Sequence, residues 1–148
     1  MIFIEDAYDH YRDNKEEDID LYSIKDGDKM RLFMFGVDTD VFIFLSGHNK
    51  TNHKITHDQV STIEFIIKRC RIYENKLIQS INDFIRKNRN RLFPEQLISV
   101  KYIPYSIVLG SNNSFIVTII VNEVNDEDKY VILVAEYDNS VIHIDIKR

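Results

Sequence analysis

Three histidines lie close together in the stretch GHNKTNHKITHD: His48, His53 and His57, with Asp58 beside the last. Imidazoles and a carboxylate are the donors that zinc or nickel would take. A small metal-dependent or hydrolytic enzyme is therefore the alternative reading of this chain. The spacing matches no standard ligand signature. His53 and His57 share a helical face only if the helix starts before its own cap. The favoured reading makes all three polar loop residues, with no cofactor.

Other reactive side chains are less well placed. His143 and Asp145 alternate on one face of a strand, opposite Ile142, Ile144 and Ile146, with Ser140 across a turn. A triad needs an activated nucleophile, an oriented base and an oxyanion hole, and no G-x-S-x-G provides them. Cys70, the single cysteine, falls on an apolar arc in mid-helix and reads as a small buried hydrophobe. The four glycines are scattered singly, so no phosphate-cradling loop is present. DIDLYSIKDGDK has the acids of a calcium loop but neither its glycine frame nor its closing glutamate.

Any such site needs elements to hold it. Residues 19–24 and 30–36 read as strands around the Asp26-Gly27 turn, and residues 41–47 follow VDTD as a second hairpin arm. Thr56 and Gln59 form a capping box, with Asp58 in the first turn. No Gly or Pro interrupts residues 56–93, so one long helix is expected over about 57–88. Strands are expected near 97–103, 105–110, 114–123, 130–136 and 140–146, with one strand kinked at Pro104 as the alternative for the first two. The expected class is α+β in a single domain, residues 1–148. It has N-terminal β-hairpins, one long helix, and a C-terminal antiparallel β-meander packed on that helix.

On a helical wheel Val60, Ile63, Ile66, Ile67, Cys70, Tyr73, Leu77, Ile78, Ile81, Phe84 and Ile85 fall in one arc about 140° wide. Phe65 and Ile72 lie nearly opposite that arc, two turns apart, which suggests a contact surface. Glu74 falls inside the arc and is expected at its rim or in an ion pair. VFIFL and FIVTIIV are apolar on both alternating faces, whereas a sheet covered on one side alternates apolar with polar. The chain therefore carries more apolar surface than one helix and one sheet consume. The N-terminal segment or another molecule is expected to take up the excess.

Composition narrows the class. The chain has 148 residues and a net charge of −5, which disfavours nucleic acid as a partner. Residues 1–30 hold ten acids and four bases, and residues 68–91 hold eight bases and two acids. No apolar run reaches the ~20 residues of a membrane span. The acidic opening lacks a signal-peptide pattern. With a lone cysteine, these features suggest a cytoplasmic protein with no membrane partner.

From Ile55 to Ile146 the order of features resembles a family of small bacterial α+β domains of unknown function found near toxin–immunity loci. ITHDQ at 55–59 matches the family's helix start. VNDEDKYVILV at 124–134 stands where the family has an acidic turn, without that turn's Trp, His and Gly. The resemblance implies an immunity-like interaction protein rather than an enzyme. The expected partner is another protein or a second copy in a homodimer. The residues expected at the contact are Phe65 and Ile72, the acidic Asp13, Glu16 and Glu17, and Asp126, Glu127 and Asp128.

Overall fold

The computed structural model describes residues 20–46, 54–68, 70–88, 100–110, 114–139 and 141–147. Six strands form one mixed sheet in the order β1-β2-β3-β4-β5-β6. They are β1 (Asp28–Met34), β2 (Val37–Leu45), β3 (Val100–Leu109), β4 (Phe115–Glu123), β5 (Asp126–Asp138) and β6 (Val141–Ile146). Neighbours pair antiparallel except β2 and β3, which run parallel. Helices α1 (His57–Lys68) and α2 (Cys70–Lys87) lie in the connection between those two.

This corrects the expected fold. The molecule is mostly a six-stranded mixed sheet with two short helices, not one long helix carrying a meander. The reason lies in the β2–β3 pairing. Parallel neighbours cannot be joined by a tight turn, so the helices become the crossover that joins them. The N-terminal hairpin thereby enters the same sheet as the C-terminal meander.

Turn chemistry sets the N-terminal details. Leu21–Ser23 is a 3-10 turn rather than a strand, capped by Asp20 Oδ1, which accepts from the Tyr22 amide at 3.1 Å. Asp26-Gly27 leads into β1 instead of joining two strands. The hairpin turn is Phe35-Gly36, both at positive φ (56° and 77°), as a two-residue turn with the twist of its strands requires. VDTD is therefore part of β2. The segments expected near 97–103 and 105–110, as two strands or one kinked at Pro104, contain the single strand β3 (Val100–Leu109), with a bulge between Pro104 and Ser106.

The helices cover one face of the sheet. Ile63, Ile66, Tyr73, Leu77 and Ile81 meet Val41, Ile43, Ile107, Leu109, Val117, Ile119 and Leu133 in a fully buried core. Each such aliphatic side chain contributes roughly 1.5–3 kcal/mol by leaving water. The capping box forms as expected: the Gln59 amide donates to Thr56 Oγ1 at 3.2 Å, and the Thr56 amide donates to Gln59 Oε1 at 3.0 Å. Gln59 does more than cap. Its Nε2 donates to the Ser46 and Leu109 carbonyls at 3.0 and 3.2 Å, pinning the helix start to the ends of the two parallel strands.

Candidate interaction surface

Strand alternation sorts the sheet into two faces. Opposite the helices, one row runs across all six strands: Lys29, Phe42, Ser106, Thr118, Val134 and Asp145. The next row holds Phe44, Val108, Ile116, Glu136 and His143. On the other side of the first row, Ile103, Ile120 and Ile132 are neighbours. The bulge adds Tyr105 to this face, because Pro104 pairs with Ile119 towards the helices and Ser106 pairs with Thr118 away from them. Phe42, Val108, Ile116, Ile120, Ile132 and Val134 stand outside the core cluster. Among the described residues no helix packs on them.

Aromatic rings gather at one side. The Phe42 ring lies 5.5 Å from Tyr105 and 6.4 Å from Phe44, with Lys29 Nζ 5.3 Å above it. Phe44 is 39% exposed and Tyr105 47%. A single exposed aromatic would be ordinary, but here the exposed rings adjoin the half-buried Phe42, Val108, Ile116 and Ile120, around buried Ser106 and Thr118. Arg31, on the same face, is held by Asp38 at 3.0 Å and by Asp40 at 3.5 Å. The hydrogen bond and charge of Asp38 raise its pKa.

Asp126, Glu127 and Asp128 belong to the rim of this surface. Asn122, buried at the end of β4, donates from Nδ2 to the Glu127 and Lys129 carbonyls, both at 3.1 Å. The pairing jumps from Asn122–Tyr130 to Glu123–Asp126, so the acidic residues form a wide bulge bound over Asn122. Asp126 Oδ1 accepts from the Asp128 amide at 3.1 Å, leaving Glu127 and Asp128 exposed.

The other expected contact residues do not come together. Phe65 turns inward, its ring 6.1 Å from Tyr73 and 5.8 Å from Tyr137. Ile72 is 56% exposed on the helix side. One wheel drawn through both helices put the two residues on a common outer face, and that phase does not hold between them. Asp13, Glu16 and Glu17 lie outside the described residues, as do His48 and His53. His57 accepts or donates at Nδ1 with the Tyr22 hydroxyl, 2.7 Å away. Among the described residues no three His, Cys, Asp or Glu side chains are grouped as metal ligands would be. No described helix is long and apolar enough to cross a membrane.

Two further sites were legible only in part. Ligands of open α/β sheets favour the crevice at the ends of parallel strands. Here Gln59 fills that position, and Thr62 Oγ1 bonds the Gly110 carbonyl at 3.2 Å. Glu74, expected at a rim or in an ion pair, is 1% exposed, and its Oε1 accepts from the Phe35 amide at 2.9 Å. Comparison with family models, curated proteins and solved structures finds no match.

Proposed function

We propose that this chain is a non-enzymatic protein-interaction module, immunity-like in character, that works by protein–protein contact through the open face of its sheet. The observation that supports the reading is an apolar face that no described helix covers: exposed Phe44 and Tyr105 beside half-buried Phe42, Val108, Ile116 and Ile120, around buried Ser106 and Thr118. Exposed aromatics beside aliphatic side chains are the composition of an interface centre, and the acidic bulge at its edge supplies a polar rim. Hydroxyl-radical footprinting of the full chain at submicromolar concentration tests it. Phe44 and Tyr105 should react as readily as Tyr22, an exposed tyrosine on the helix side. Protection of both in the dilute protein would mean that the chain covers its own sheet, and the reading would fall.

A further inference from the structure

The charges around this face are arranged with a polarity. The central row begins with Lys29 on β1 and ends with Asp145 on β6, with Phe42, Ser106, Thr118 and Val134 between them. At one end of the strands, Lys101 on β3 pairs beside Asn122 on β4, over which the Asp126–Asp128 bulge is bound. Lys29 and Asp145 thus sit at opposite sides of one surface, with Arg31, Asp38 and Asp40 on the Lys29 side and Lys147 on the Asp145 side. That arrangement is self-complementary under one symmetry operation and self-repelling under another.

We infer that the partner of this face is a second copy of the chain, packed sheet on sheet about a two-fold axis parallel to the strands. The inference rests on the protein-contact reading above and names its partner. A strand-parallel axis between β3 and β4 exchanges left and right across the sheet. Lys29 then faces Asp145 of the second copy, and Lys101 approaches the second copy's acidic bulge. Phe42 meets Val134 of the second copy, Val108 meets Ile116, and Ser106 meets Thr118. An axis perpendicular to the strands would instead set β1 on β1, with Lys29 near Arg31, and would bring the acidic bulge towards Glu136 and Asp138. The like-charge contacts of that axis outnumber its one opposite pair, Asp145 with Lys147, so the charge pattern favours the first axis. Two rows are less well matched: one sets Phe44 beside Glu136 at the rim, and the other sets Asp40 opposite Ile132 and Arg31, already bonded to Asp38 and Asp40, opposite Lys147.

The area agrees with a modest dimer. Strands about 4.8 Å apart and same-face residues about 6.8 Å apart give a face roughly 24 by 20 Å. Mating two such faces, about 10 Å apart, hides on the order of 1,000 Å2 in total, the lower bound for a specific interface. The surface is isologous, so every contact occurs twice.

Sedimentation equilibrium of the full chain from about 1 to 100 µM tests this, with a dissociation constant in the micromolar range expected. Lys29→Glu and Asp145→Lys should each weaken association by about three- to tenfold, because each removes two exposed pairs. The double variant Lys29→Glu/Asp145→Lys should restore it, a result that no general loss of folding produces. Far-UV circular dichroism accompanies each variant, and Phe44→Glu serves as an independent probe that should leave a folded monomer. A monomer throughout, or a double reversal no tighter than the single ones, overturns the inference. If that monomer still reacts at Tyr105 in the footprint, protein contact stands and only the second copy is lost. If Tyr105 is protected, both fall.

Discussion

Gln59 connects the helix start to both parallel strands, and its replacement by glutamate would expose that role. The side chain is 3% exposed and makes three bonds: Nε2 to the Ser46 and Leu109 carbonyls, and Oε1 from the Thr56 amide. Gln59→Ala loses all three. At about 0.5–1.5 kcal/mol net for each bond, the loss is about 2–4 kcal/mol. The Leu109 carbonyl keeps one partner, the Ser46 amide at 3.1 Å, which places the value towards the lower end. Gln59→Glu keeps an acceptor for Thr56 but points a carboxylate oxygen at two carbonyl oxygens. At pH 7 it should destabilise at least as much as alanine. Burial and the facing carbonyls raise the pKa of that new carboxyl above the ordinary value near 4.3. A raised folded pKa means that the stability is present below the unfolded pKa and lost as pH rises through the folded one. The gap to wild type should therefore shrink at pH 4, where the protonated carboxyl donates one bond, and widen towards pH 7. Urea unfolding followed by circular dichroism at both pH values measures this. A Gln59→Glu protein within about 0.5 kcal/mol of wild type at pH 7, or a gap indifferent to pH, would refute the reasoning.

Further outcomes follow from the same geometry. Glu74→Ala should cost about 2–3 kcal/mol in denaturant unfolding, because it strands the buried Phe35 amide in a turn already at positive φ, and Glu74→Gln should cost less than half of that. Phe65→Ala should cost about 2–3 kcal/mol by opening the aromatic cluster of Phe65, Tyr73, Phe115 and Tyr137, whereas Ile72→Ala should stay within about 0.5 kcal/mol in the same melt. Tyr102 is half-buried, and burial raises its phenol pKa despite the opposing bond to Asn82. Its folded-state stability is present below the ordinary tyrosine value near 10 and declines above it, so alkaline unfolding should lose that slope in Tyr102→Phe.

Some local signals were legible where a few adjacent residues decide the backbone. The Thr56–Gln59 capping box is such a case, since its two bonds join residues three apart. The β4–β5–β6 meander is another, with alternating Ile142, Ile144 and Ile146 set against exposed His143 and Asp145. Pro104 marked the bulge in β3 because proline cannot donate to a ladder. Asp26-Gly27 misled. Its glycine does take positive φ, but Phe35-Gly36 makes the hairpin with a bulky residue that turn statistics disfavour. Phe35 adopts the left-handed region because tertiary contacts hold it there: its ring packs 6.1 Å from Tyr102 and its amide bonds Glu74, 39 positions away. No window of local sequence contains that information.

The parallel pairing of β2 with β3 explains why the apolar excess lies on another face than the one expected. The apolar excess in VFIFL and FIVTIIV was visible, and it led to the expectation of a contact surface centred on Phe65 and Ile72. Parallel pairing leaves no mark in either strand, because Phe42–Leu45 and Ser106–Leu109 are far apart in the chain, with α1 and α2 between them. Once those strands are neighbours, the crossover must lie over one face, and both helices are committed to that face. Phe65 is then drawn into the aromatic cluster, while Phe42, Phe44 and Tyr105 are left on the opposite side. Which apolar side chains the described helices leave uncovered is therefore a property of the topology. A single helix wheel could register the excess but could not place it.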